Sequence, residues 1–277
     1  MLFFLFLGSQ KINVSSFQCE SGWSRIVRQC RLSPLFYPMS HQHNGFREFV
    51  IVTRHGQTEL NRHNKSVEDK RHEVLTGRTH TPLTEKGRTQ ALEAGERLQT
   101  LLDAFGWRLK GIVSSPSPRA VDTAMLIGSR LRNSMPDVHT DRRFHERSLG
   151  VLENMTIGEA IQRTGLPQEE ILRLRQDFDR APEGGENYTQ VTNRVSSGVF
   201  DLRREFFQGG SDLQAVLVTG HKGVVRCAKH AFGGLSREEV VKFDVPNADF
   251  VVFGFHLREE VLPEDVPTHD RTIHFDR

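Results

Sequence analysis

The sequence predicts an α/β protein, a three-layer α/β/α sandwich around a mostly parallel central sheet. Three observations carry that prediction. Short apolar, partly β-branched runs read as buried strands, amphipathic helical stretches alternate with them, and the strands run into loops containing Gly, Pro or Ser. Regular pattern begins at Arg47, and Phe49-Val50-Ile51-Val52 is a strand leading into Thr53-Arg54-His55-Gly56. Leu83-Thr84-Glu85-Lys86-Gly87 opens a long helix, with Thr84 as N-cap, acid in the first turn, and Ala91, Leu92, Leu98, Leu101 and Leu102 as its apolar face. Gly111-Ile112-Val113 is a second strand ending in Ser114-Ser115-Pro116-Ser117-Pro118, and 119–131 is helical in period. Residues 157–178 read as helical with a break near Gly165-Leu166-Pro167. Ala181-Pro182-Glu183-Gly184-Gly185 is a loop, and 188–207 an amphipathic helix. Ala215-Val216-Leu217-Val218-Thr219 is the most strand-like stretch and ends in Gly220-His221-Lys222-Gly223; residues 250–255 form a last strand.

Bulk properties narrow the function. A chain of 277 residues can bury a sizeable core. Its formal charge of +2 is too small for nucleic acid to be the main partner, so an anionic substrate needs a local cluster of positive groups. The 3 cysteines, Cys19, Cys30 and Cys227, argue against a disulfide framework and fit a reducing compartment, hence a cytoplasmic location. No apolar run approaches a membrane span. The apolar start at Met1 lacks the basic flank and cleavage site of a secretory signal. Residues 1–45 read as a disordered extension ahead of a domain at 46–277. The basic bias of Arg25, Arg28 and Arg31 leaves a mitochondrial presequence as the alternative.

In open α/β sheets the site lies beyond the carboxyl ends of the strands. Three such ends here carry Arg54-His55, the loop leading to Arg119, and His221. They are far apart in sequence, yet this architecture gathers them at one rim. Phosphoryl transfer without a metal needs fixed cations and donors around the phosphoryl oxygens, an in-line nucleophile, and an acid for the leaving oxygen. Arginine matches phosphate oxygens in a bidentate way, and a neutral imidazole is nucleophilic near pH 7. The remaining histidines lack metal-ligand spacing and read as surface or loop residues.

Thr53-Arg54-His55-Gly56-Gln57-Thr58 resembles the RHG signature of the histidine phosphatase superfamily, the phosphoglycerate mutase-like proteins. Asn61 sits where the family's RHG-x-T-x-x-N pattern has its asparagine. Ser115-Pro116 through Arg119-Ala120 and Thr123-Ala124 resemble its S-x-x-x-R-A-x-x-T-A segment, and Glu146-Arg147 with Gly150 its E-R-x-x-G segment. Pro182-Glu183-Gly184-Gly185-Glu186 is similar to the P-x-G-E-S/T turn, and 216–225 to the strand ending in the second histidine. A lone RHG recurs by chance; ordered matches over 46–255 are a strong signal.

The resemblance implies a phosphoglycerate mutase-like fold with no metal and no cofactor. It implies that His55 is the nucleophile, that Arg54 and Arg119 bind phosphoryl oxygens, and that a protonated His221 donates to them. Glu146 would be the acid for the leaving group and then the base for water, with Glu153, Glu159 and Glu186 as nearby alternatives. Asn61, equally readable as a turn residue, and the backbone amide of Lys222 would add donors. The implied partner is a small phosphorylated substrate, neither nucleic acid nor membrane; the sequence leaves oligomeric state open. Two positions depart from the family pattern: Gln57 where Glu is common, and Lys222 where Gly follows the second histidine. The long, charged stretch 62–81 reads either as a loop shaping substrate choice or as a mobile surface excursion. The run after Glu146 is similar to the phosphatase branches and lacks the ERHYG-type run of glycolytic mutases. The expected function is therefore hydrolysis of small phosphorylated metabolites of the sugar phosphate class. Alternatives are mutase-type phosphoryl transfer and an inactive module that binds phosphorylated ligands.

Overall fold

Successive residues of a strand face opposite sides of its sheet, so a strand apolar throughout must be covered on both faces. A computed structural model describes residues 46–132, 137–207, 209 and 211–256. The 1–45 extension, with Cys19 and Cys30, and the tail beyond 256 lie outside the described residues. Strands β1 (Phe46–Arg54), β2 (Arg108–Ser114), β3 (Val138–Thr140), β4 (Gln214–Gly220) and β5 (Phe250–His256) form one sheet in the order β3-β2-β4-β1-β5. All neighbours run parallel except β5, which is antiparallel to β1.

Helices cover the two faces. Phe49, Ile51, Ile112, Ala215 and Leu217 pack against α2 (Glu85–Phe105) and α3 (Pro118–Gly128), with Trp107 stacked on Phe49 at 3.9 Å between ring centroids. Val50, Val52, Val113, Val216 and Val218 face α6 (Tyr188–Phe206) and α7 (Lys222–Gly233). Odd and even residues of β1 thus belong to different cores, which is the sandwich expected from the sequence. α2 starts and stops where its chemistry dictates. Thr84 Oγ1 accepts from Gly87 N at 3.0 Å, and Gly106 ends the helix at φ 66°, a left-handed conformation that glycine adopts freely.

The sequence reading missed β3, α1 (Glu59–Ser66), α7 and α8 (Arg237–Lys242). β3 is only 3 residues long, too short for a periodicity. α7 carries Gly223, Val224 and Val225, poor helix formers, and is helical because its buried face packs on the sheet.

The stretch 62–81 is neither a loop throughout nor a loose excursion. α1 extends through Ser66, a short 3₁₀ turn spans Lys70–His72, and Asn64 holds both the N–H and the C=O of Val74. Leu75 N donates to Met155 O at 2.8 Å, and the Leu75 side chain is fully buried with Leu149, Leu152, Ile157, Ala160 and Ile171. Those residues bring in α4 (Ile157–Thr164) and α5 (Gln168–Leu174), so the stretch anchors a small third core apart from the two on the sheet. Leu75→Ala is expected to cost about 2–5 kcal/mol in urea unfolding, the range for a buried leucine. A cost below about 0.5 kcal/mol would mean that this segment is not anchored.

Candidate active site

Strand register assembles the site. β4 lies between β1 and β2, with Arg54 opposite Gly220 and Ser114 opposite Thr219. The pairing continues one step past the sheet: His55 N donates to Gly220 O at 2.9 Å and Ser115 N to Thr219 O at 2.8 Å. His55, Ser115 and His221 are therefore the first residues beyond the rim on three adjacent strands. Gly56 must be glycine for steric reasons, because a Cβ there would enter the backbone of Gly87 at the start of α2. Its N–H donates to Thr123 Oγ1 at 3.0 Å, and that hydroxyl donates to Arg119 O at 2.7 Å, which ties the loop to α3.

His55 Nδ1 lies 2.7 Å from Gly56 O. A carbonyl only accepts, so Nδ1 carries the proton and Nε2 keeps its lone pair. Burial first, then the charges of Arg119 and Arg54, hold this imidazole well below the usual histidine value, and it is neutral at pH 7. His221 is also fully buried, its ring centroid 5.2 Å from that of His55. Its Nε2 is 2.8 Å from Ser115 Oγ, which accepts from Ser117 N at 3.3 Å; its Nδ1 is buried with no protein partner. Burial, with Arg119 next, pushes His221 well down too, so it is neutral in the bare site, whereas the cation expected from the sequence belongs to a phosphate-occupied one. His145, a half-buried loop residue, lies nearly parallel to His221 at 6.3 Å and is pushed down to about 4 by burial and three arginines.

Arg54 and Arg119 are held by backbone carbonyls. Arg54 Nη1 donates to Val245 O at 2.6 Å, and Arg119 donates from Nη1 to Thr79 O at 2.7 Å and from Nη2 to Gly77 O at 3.1 Å. The Nε of each is buried without a partner, and neither guanidinium forms an ion pair among the described residues. Both line a cavity of about 400 Å³ together with His55, Asn61, Glu146 and Lys222. The cavity therefore concentrates positive charge that is fixed in place yet not neutralised by a bonded carboxylate.

Glu146 stands in that cavity, its Oε1 accepting from Arg147 N at 2.9 Å. The alternatives are engaged elsewhere: Glu153 accepts from Ser148 and Leu149, Glu159 caps α4 through Thr156, and Glu186 binds Arg78, Arg194 and Ser148. Asn61 is a turn residue and a cavity residue at once. Its Oδ1 accepts from Thr58 N at 3.3 Å and from Asn247 Nδ2 at 3.0 Å, which turns its Nδ2 donor group to other partners. Lys222 is the first residue of α7, so its N–H is one of the donors a helix leaves without an internal acceptor. Its side chain pairs with Asp244. Gln57, by contrast, faces α2, accepting from the Thr84 hydroxyl through Oε1 at 3.1 Å.

Sequence reasoning missed a brace beneath the nucleophile loop. Asn247 Nδ2 donates to His55 O at 3.1 Å, and Ala248 N lies 3.0 Å from Arg54 O and 3.2 Å from His55 O. Ala248 holds φ 57°, which disfavours a residue with a Cβ, so the brace carries local strain. Pro246-Asn247-Ala248 reads only as a turn, and nothing in it signals a role. Ser115 was visible as part of a pattern, but its bond to His221 required the fold.

Residues 50–263 match the model of the histidine phosphatase superfamily (branch 1). The chain is 33% identical over 192 residues to a glucosyl-3-phosphoglycerate phosphatase of Mycolicibacterium vanbaalenii, covering 67% of this chain and 74% of that protein. It is 28% identical over 205 residues to a 2,3-bisphosphoglycerate-dependent phosphoglycerate mutase of Mesorhizobium japonicum, covering 74% of this chain and 90% of the mutase. The solved structure of a mycobacterial glucosyl-3-phosphoglycerate phosphatase superposes with a TM-score of 0.58 at 28% identity, over 74% of this chain and 88% of that one. Among the described residues no helix is long and apolar enough to cross a membrane.

The depressed imidazoles link stability to pH. The unfolded chain binds protons at these sites below a pKa of ~6.5, and the folded chain does so only at lower pH. Stability present above pH 6.5 is therefore lost as pH falls, at about 1.4 kcal/mol per pH unit for each histidine. Between pH 7 and 5.5 the His55→Asn variant should lose less unfolding free energy than the wild type, measured in urea. Equal losses would mean that His55 is not held neutral.

Proposed function

Because the chain belongs to the histidine phosphatase superfamily (branch 1), we propose that it hydrolyses phosphomonoesters of small metabolites, of the sugar phosphate class, through a phosphohistidine on His55. The observation that carries this reading is the single free ring nitrogen of His55 beside two arginines that are bonded to backbone carbonyls and to no carboxylate. A phosphoryl dianion between Arg54 and Arg119 supplies the missing negative charge. The Asn61 amide, the Lys222 N–H and the Nδ1–H of His221 complete its donors, with the other ring nitrogen of His221, Nε2, held by the Ser115 hydroxyl.

The reaction runs in two displacements. The Nε2 lone pair attacks phosphorus, the P–O ester bond breaks, and Glu146 gives its proton to the departing oxygen. His55 keeps its Nδ1 proton, and the Gly56 carbonyl stabilises the positive charge that develops on the ring. Water then attacks phosphorus, Glu146 takes a proton from it, the P–N bond breaks, and the electron pair returns to Nε2. Nothing in this cycle calls for a metal or an organic cofactor. The mutase relatives support a second reading, in which an acceptor hydroxyl replaces water in the second displacement. A pure binding module would have no use for Glu146 in the cavity.

The test is phosphate release from a panel of phosphorylated metabolites, with chelator present. His55→Ala is expected to abolish turnover; undiminished turnover would reject the nucleophile. Glu146→Gln is expected to slow sugar phosphates by about 10²–10⁴ and p-nitrophenyl phosphate, whose leaving group needs no proton, far less. An equal loss on both would refute the acid role. Transfer to an added phosphoglycerate in preference to water would favour the mutase.

A further inference from the structure

The cavity wall holds more cations than one phosphoryl group requires: Lys65, Arg147, Arg175, Lys222 and Arg226 line it beyond Arg54 and Arg119. They are not equivalent. Arg175 is bonded to Glu73 at 2.8 Å, and Glu73, itself on the wall, also takes Lys70. On that side the arginine is therefore already matched by a bonded carboxylate and is less available to a second anion. Arg147 and Arg226 are buried and cannot swing, Arg147 bonded to Leu174 O over the Tyr188 ring with its Nη1 left without a partner, Arg226 bonded to Phe243 O and Gln176 Oε1. Lys65 is exposed on α1 and solvated.

Lys222 differs from all of these. Its counter-ion, Asp244, does not line the cavity and is 72% exposed, whereas the Lys222 side chain is 35% exposed. An ion pair with so solvated a carboxylate is weak, and the flexible lysine stem can leave it cheaply. Arg54 and Arg226 lie close enough to Lys222 to repel its charge, so an anion arriving on the cavity side relieves that repulsion as well.

We propose that the ammonium of Lys222, released from Asp244, reads a carboxylate on the substrate beside the phosphoryl group being cleaved. The enzyme then selects phosphomonoesters that carry a carboxylate over neutral polyol phosphates. This role belongs to the side chain and is separate from that of the backbone amide; it rests on the phosphatase reading given above. Asp244 acts as a competitor that keeps the ammonium occupied when no such ligand is bound.

A matched pair of compounds isolates the charge. 3-Phosphoglycerate and glycerol 3-phosphate differ by a carboxylate in place of a hydroxymethyl group. With the full chain, kcat/KM for 3-phosphoglycerate relative to glycerol 3-phosphate is expected to fall about tenfold in Lys222→Met, through KM. In Asp244→Asn the same ratio is expected to rise severalfold, with hydrolysis of glycerol 3-phosphate unchanged. A ratio identical in all three proteins would overturn the proposal. Calorimetric binding of both compounds in a His55→Ala background gives the comparison without turnover. A binding preference lost with Lys222, in a protein whose wild type hydrolyses neither compound, would sink the phosphatase reading and leave the lysine assignment standing. Binding with no preference, or no binding at all, would sink the lysine assignment.

Discussion

The 2.7 Å hydrogen bond from His55 Nδ1 to the Gly56 carbonyl decides which ring nitrogen can react, and much of the structure exists to hold it. A histidine in water exchanges tautomers freely. Here the carbonyl acceptor is its own neighbour's, and that neighbour cannot move: Gly56 is pressed against Gly87, bonded to Thr123, and followed by a loop clamped to α2. Beneath it, Asn247 and Ala248 take up the carbonyls of Arg54 and His55. The strain at Ala248 is local, and it is sustained by a sheet whose strands are buried on both faces.

Electrostatics follows from the same frame. Burying two guanidiniums without a bonded carboxylate is costly, and the fold offsets the cost with carbonyls: Val245, Thr79 and Gly77 orient the arginines without neutralising them. Burial first, and the same field second, keep His55 and His221 uncharged. A neutral nucleophile in a cationic cavity is what attack on a phosphoryl dianion requires, because the cations screen the approach of an electron pair to a negatively charged centre. A phosphoryl dianion would also offset the arginine charge that helps hold His221 neutral, so the protonated form suggested by the sequence fits a loaded site better than the bare protein.

The strands, the long helix α2 and the rim that gathers Arg54, His55 and His221 were legible because burial on both faces and helical period leave marks in a single sequence. Glu146 was legible only through its place in a pattern. Separating it from Glu153, Glu159 and Glu186 needed coordinates, since only the fold shows that those three have other partners. The brace at Asn247 and Ala248 left no mark, because a side-chain amide bonded to a carbonyl 192 positions away has no sequence signature. The stretch 62–81, readable as a loop shaping the site or as a surface excursion, reaches the cavity wall through Asn64, Glu73 and Gly77, and only the second reading misled. Its charge density suggests solvent, but one buried leucine and one asparagine bonded to both sides of Val74 anchor it.

The most direct measurement is the chemical form of the trapped covalent intermediate. The enzyme is mixed with substrate, quenched within milliseconds in alkaline denaturant, and digested; the modified peptide is mapped by mass and its phosphorus resonance recorded. The account predicts one phosphoryl group on the imidazole of residue 55, attached at Nε2. Attachment at Nδ1, or on another side chain, or no covalent phosphate under turnover, would contradict it.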